Sequence, residues 1–192
     1  MYSWGYLKNA ALAKLDLDQT EANELKLINR FVYYANEVIT QICSAIKPKR
    51  KFYEITIDDS NVGKIITIDD GEFISFSDDL STLYVDGVLS SCTDVDLLYK
   101  GYNQFVCYTK GKYHIAYNAR WITFTGATDD NTVLQIPADV LDCIPSYIAS
   151  QCYKIDDDYK SSVYRNEYEM FLARIDNTDF KTNSTFTIGG DW

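Results

Sequence analysis

Histidine is nearly missing from this chain: His114 is the single one among 192 residues, and it stands in the alternating run Tyr113-His114-Ile115-Ala116-Tyr117. Without a second imidazole, most metal-hydrolase, zinc-deaminase and Ser-His-Asp arrangements lose a required group. Cysteine is present but unpatterned. Cys43, Cys92, Cys107, Cys143 and Cys152 are odd in number and show no C-x-x-C spacing, so neither a zinc site nor a disulfide framework is indicated. They read as small buried hydrophobes. A Gly-rich phosphate loop, G-x-S-x-G and H-E-x-x-H are all lacking. The acidic clusters Asp58-Asp59, Asp69-Asp70-Gly71-Glu72, Asp78-Asp79 and Asp156-Asp157-Asp158 lack the spacing of an EF-hand loop and fit turns and a helix N-terminus instead. Among 28 acidic residues some pair always suits glycoside hydrolysis on paper, so that pattern discriminates nothing. The expectation is a protein that is not an enzyme, with no catalytic, cofactor-binding or metal-ligating residue.

Long hydrophobic runs are lacking too. No apolar stretch approaches the roughly 20 residues that cross a bilayer, and Met1 to Ala10 resembles no secretory signal, so synthesis inside a cell and no membrane partner are expected. Positive charge is sparse: the formal net charge is -10, which argues against the whole chain gripping a phosphate backbone. The one dense basic cluster, Lys47-Pro48-Lys49-Arg50-Lys51, reads as a helix C-terminus before a turn. What the chain does hold is aromatic surface. Sixteen tyrosines, nine phenylalanines and three tryptophans make 15% of it, and such side chains suit sheets and interfaces.

Periodicity divides the sequence into helical ends and a β-rich middle. Leu7, Ala10, Ala11 and Lys14 share a helical spacing over Tyr6 to Leu15. Asp18 and Glu21 have the form of a capping box that opens a second helix of about seven turns, with its stripe at Leu25, Ile28, Val32, Ala35, Ile39, Ile42 and Ile46, widened by Phe31, Val38 and Cys43. Pro48 ends it. From Lys51 the period becomes two, and nine strands are predicted: 52–57, 65–68, 73–76, 82–89, 94–99, 105–108, 113–117, 121–124 and 133–136. Turns such as Asp86-Gly87 and Lys110-Gly111-Lys112 join them in an antiparallel meander or small barrel. A helix begins at Pro137, with Pro145 predicted to kink or split it, and another runs from Asp157 to Asp176 with Arg165 and Glu169 paired on its wet side. The fold class is α+β. A helical framework comes from 1–47 and 137–176, an antiparallel β insertion from 50–136, and an extended C-terminal arm from 177–192. Tyr2, Trp4, Phe180, Phe186, Ile188 and Trp192 are the expected interface residues.

The stretch Leu134-Gln135-Ile136-Pro137-Ala138-Asp139 through Ile144-Pro145-Ser146-Tyr147 to Gln151, then Asp156-Asp157-Asp158 and Tyr164-Arg165-Asn166-Glu167-Tyr168-Glu169, resembles tailed-phage head-tail connector proteins and, more narrowly, the neck ring proteins of crAss-like podoviruses. Ala10 to Leu15, Asp18 and the helix Phe31 to Glu37 fit the same pattern, and together these cover about half of the chain. The resemblance implies a structural virion protein of the neck or tail region. It implies a homo-oligomeric ring of twelve copies docked to the portal, in contact with other neck or tail proteins, with genomic DNA passing through without sequence-specific binding. The long β middle departs from the simplest connector plan. Two rival expectations stand beside it: a host-surface or tail-binding module carried by the β insertion, and a small hydrolase using a cross-strand Cys107/His114 pair.

Overall fold

The computed structural model of the chain describes residues 2–24, 26–77, 81–93, 95–154 and 156–175. Within them the architecture is α+β with antiparallel sheets, and the chain forms two compact units. One is built from both ends of the sequence, up to Ile42 and from Phe124 onward; the other is Cys43–Thr123. The second boundary therefore falls at Thr123/Phe124 and not at Ile136/Pro137 as predicted.

In the helical unit, α1 (Trp4–Leu15) starts at Ser3, whose hydroxyl accepts from the Tyr6 N–H at 3.2 Å, and stops at Asp16, left-handed at φ 58°. The capping box forms as read. The Asp18 carboxylate accepts from the Glu21 N–H at 2.9 Å and the Glu21 carboxylate from the Asp18 N–H at 2.9 Å, opening α2 (Gln19–Glu24). The predicted seven-turn helix is in fact two. Lys26 adopts φ 54°, which no α-helix continues through, and α3 (Leu27–Ala45) begins beyond it. Along α3 the buried stripe is Phe31, Ala35, Val38, Ile39, Ile42 and Cys43, whereas Ile28 and Val32 are only half-buried. Leu25, the predicted start of that stripe, lies outside the described residues.

Helix α4 (Ala138–Tyr153) is the centre of this unit: every residue from Cys143 to Ser150 is buried. It runs through Pro145 without splitting, although an interior proline costs a helix about 3 kcal/mol. Packing of α1 and of α5 (Asp158–Leu172) against it offsets that loss. Asp157 caps α5 by accepting from the Lys160 N–H at 2.9 Å, and Arg165 meets Glu169 at 2.8 Å as the spacing predicted.

Residues 121–124 and 133–136, predicted as strands, are not strands. From Phe124 the chain belongs to the helical unit, where its polar backbone serves as a cap. The Asp130 and Thr132 carbonyls accept from the otherwise orphaned N–H groups of Gly5 (2.9 Å) and Trp4 (3.2 Å) at the start of α1. Phe124 is clamped by Asn36, whose side chain accepts from its N–H at 2.8 Å and donates to its carbonyl at 2.9 Å.

The β unit contains β1 (Lys49–Ile57), β2 (Ile65–Thr67), β3 (Phe73–Phe76), β4 (Thr82–Val85), β5 (Val88–Ser91), β6 (Leu97–Tyr99), β7 (Gln104–Cys107) and β8 (Gly111–Ala119). These pair as two antiparallel sheets and not as a meander. The larger runs β1-β8-β4-β5 with β3 also on β8, and the smaller runs β2-β7-β6. Strand β8 is the hub. β1 covers one edge along its full length, while β3 and β4 share the other edge end to end. At the junction Ala116 is served by Ser77, whose N–H donates to its carbonyl at 2.9 Å, and by the Ser81 hydroxyl, which accepts from its N–H at 3.0 Å. Between the sheets, Ile57, Phe73, Leu83, Tyr113, Ile115 and Tyr117 meet Leu97, Phe105 and Cys107 in one cluster. Each such side chain contributes about 1.5–3 kcal/mol by leaving water.

Candidate interaction surfaces

The predicted interface residues do not converge. Trp4 is 2% exposed and stacks on Phe124 with ring centroids 4.2 Å apart, which corrects its assignment to an interface: its ring fills the core at the start of α1. Tyr2 is half-buried. Its carbonyl accepts from the Leu134 N–H at 3.0 Å, and its ring meets the exposed Tyr6 edge-on at 5.1 Å. Phe180, Phe186, Ile188 and Trp192, with the whole arm 177–192, lie outside the described residues, as do Asp78 and Asp79.

Two surfaces stand out instead, one in each unit. In the helical unit, α1 and α5 straddle α4 and leave a groove of about 770 Å³ lined by Ala10, Ala13, Lys14, Val163, Tyr164, Asn166, Glu167 and Met170. Its polar floor is tied across: Lys14 meets Glu167 at 2.7 Å, and the Tyr164 hydroxyl donates to the Lys14 carbonyl at 2.6 Å. Val163 and Met170 are exposed at its α5 wall, so apolar surface borders the groove. The alanines are what keep α1 low enough for a groove; larger residues there would close it.

In the β unit, the outer face of the larger sheet carries the second surface. Register sets it out in rows: Thr56, Lys112 and Tyr84 lie side by side across β1, β8 and β4, and Glu54, His114 and Thr82 form the next row. A depression of about 440 Å³ opens there between Thr56, Tyr84, Asp86, Gly87, Gly111, Lys112 and His114. Lys112 pairs with Glu54 at 2.8 Å and holds its carboxyl below the usual range. The Tyr84 and His114 rings lie 5.1 Å apart, tilted by 46°.

The Cys107/His114 pair does not exist. Their strands belong to different sheets; Cys107 points into the core while His114 sits on the outer face. Burial also pushes the Cys107 and Cys143 thiols up to about 12 and the Cys152 thiol to about 11, so these sulfurs stay protonated and unreactive at neutral pH. All five cysteines are free. Among the described residues, no group of three or more His, Cys, Asp or Glu side chains is placed to hold a metal ion, and no helix is long and apolar enough to cross a membrane.

The basic cluster is dispersed by the start of β1. Lys47 is buried and its carbonyl accepts from the Trp121 indole at 3.0 Å, Arg50 points outward, and Lys51 turns inward between Asp70 and Glu72, 2.8 Å from each. Burial opposes a charged Lys51, but those two carboxylates outweigh it and raise its pKa. Burial likewise opposes an ionised Asp70, and the hydrogen bonds from Lys51 and, at 2.7 Å, from the Tyr117 hydroxyl outweigh it, lowering its pKa to about 2. Period-two reading from Pro48 onward would have found this alternation, because residues 49, 51 and 53 share the inner face. No protein-family model and no curated protein matches the chain.

Proposed function

We propose that this chain is a structural virion protein, a neck ring component of a tailed-phage head-tail connector that docks to the portal and links capsid to tail around the DNA channel. The observation that carries the reading is the α1–α5 groove, a part-apolar edge that is open among the described residues, on the same helices whose sequence resembles connector proteins. In a closed ring such an edge receives a neighbouring copy, and one repeated heterologous contact suffices to close twelve subunits. No bond-making chemistry is assigned to the protein; its task is geometric. The net charge of -10 supports a lumen that repels the DNA backbone, so the genome slides through without being held.

Mass photometry of the purified chain mixed with portal particles tests the reading. Twelve copies added per portal is the expected result, and A13W, which fills the groove, is expected to abolish ring closure while the chain stays folded. A chain that remains monomeric and unbound at every concentration contradicts it.

A second reading has its own observation. The exposed aromatic and polar face of the β unit supports a tail or host-surface binding module, and this role is compatible with a ring in which the helical unit provides the anchor.

A further inference from the structure

The outer face of the larger sheet does more than decorate the β unit, and we infer that it holds a binding site for a neutral, polyhydroxylated ligand, a hexose residue either free or within a glycan. The inference goes beyond the ring reading and does not depend on it.

The site is shaped by backbone. Asp86 and Gly87, at φ 51° and 79°, form a two-residue turn of the type that matches the sheet twist, and it closes one end of the depression. At Gly111, φ 151°, an added Cβ would lie 2.6 Å from the Tyr84 carbonyl oxygen and 2.8 Å from Leu83 Cδ1, so only glycine lets β4 lie this close to the start of β8. The depression of about 440 Å³ falls in the roughly 300–1,000 Å³ range of small-ligand sites.

The chemistry then selects the ligand. Tyr84 offers a ring face, which suits the C–H face of a pyranose. Asp86 lines the depression with acceptors, Lys112 with donors and Thr56 with a hydroxyl that can do both, while Glu54 borders it through its pairing with Lys112. His114 Nε2 has no hydrogen-bond partner, and its nearest carboxylate oxygen, Glu54 Oε1, is 3.9 Å away, too far for a direct bond. That nitrogen is closed off from solvent, so a ligand hydroxyl satisfies it only when the imidazole turns toward the depression on binding. Two carboxylates against one lysine, itself already paired, disfavour phosphate and nucleic acid, whereas a ligand needing donors and acceptors in equal measure is accommodated.

The test is a titration of the full chain with the methyl glycosides of glucose, galactose, mannose and N-acetylglucosamine, and with linear hexasaccharides of the same sugars. It is read by NMR at the His114 imidazole and Tyr84 ring. The expected result is saturable millimolar binding of at least one sugar, with both signals shifting. Tyr84→Ser should weaken it about tenfold or more, which corresponds to about 1.4 kcal/mol. Glu54→Gln, on an exposed side chain, should weaken it too while the core resonances of Leu83 and Tyr113 stay in place. Tighter binding of a hexasaccharide assigns the site to a surface glycan, and equal affinity assigns it to a single residue; both support the inference. No shift with any sugar overturns it, as does saturation by an arginine-rich peptide alone, which would make the face a protein contact.

Discussion

The two units are held together in opposite ways. The helical unit joins two segments that the whole β unit separates in sequence and organises them around α4, buried throughout 143–150, with an irregular segment from Phe124 onward capping α1. The β unit is one continuous stretch in which the larger sheet is ordered by a single strand, β8, that pairs with three others, and a smaller sheet runs β2-β7-β6. One unit depends on a packed helix and the other on a shared backbone edge. Packing tolerates polar variation on its surface, which leaves the α1 and α5 edges open to neighbours; sharing the edges of β8 fixes the registers of β1, β3 and β4 together, which suits a recognition face.

The largest effect should come from removing a ring that two distant segments share. Trp4→Ala deletes the stack on Phe124 and is expected to cost about 3–5 kcal/mol in denaturant-induced unfolding. If the units are as distinct as they look, helical circular dichroism is lost at lower denaturant while Tyr113 and Tyr117 keep their β-unit signals. Simultaneous loss of both would show the units to be one cooperative body.

Gly111→Ala attacks the other principle, backbone proximity at the hub strand. With a Cβ 2.6 Å from a carbonyl oxygen and a positive φ, it should cost about 1–3 kcal/mol and fall on the β4–β8 pairing, seen as faster amide exchange at Leu83 and Lys112.

A third, smaller effect depends on pH. Asp70 has its pKa lowered from 3.8 to about 2 on folding, so the stability it contributes is fully present above pH 4 and is lost as pH falls towards 2. That loss is of order 2 kcal/mol for a group mostly shielded from solvent. Urea unfolding between pH 5 and pH 2 should show it in the β unit, and Asp70→Asn should flatten the profile; an unchanged slope would contradict the role given to the Lys51 network. The smallest effect is expected at Arg165→Ala. Its partner Glu169 is exposed, and a surface pair at this spacing is worth at most about 0.5 kcal/mol.

Local signals were legible in the sequence. The Asp18/Glu21 capping box, the Asp86-Gly87 turn, the Asp157 start of α5 and the Arg165–Glu169 pair each depend on residues at most four apart, and each formed. What was not legible depends on distance. Nothing near Lys26 announces the break between α2 and α3. The alternation in 121–124 and 133–136 looks like strands, but Phe124 is taken up by Trp4 of α1 and Asn36 of α3, and Val133 and Leu134 pair only with the short segment before α1. Choosing β1, β3 and β4 as partners for β8 requires pairing across up to seventy residues, which period-two reading cannot rank. The outer-face site was missed for the same reason: Thr56, Tyr84 and Lys112 become neighbours only once that register is set. Trp4, expected at an interface, is instead buried in the first turn of α1 against Phe124, a partner 120 residues away that local reading cannot supply.

Cryo-electron microscopy of the assembled phage neck tests the central claim most directly. The account predicts a ring of twelve copies below the portal, with α1 and α5 at the subunit boundary and the outer face of the β unit open to solvent or to a tail partner. A neck without this chain, or a ring whose subunit boundaries avoid the α1–α5 groove, would contradict it.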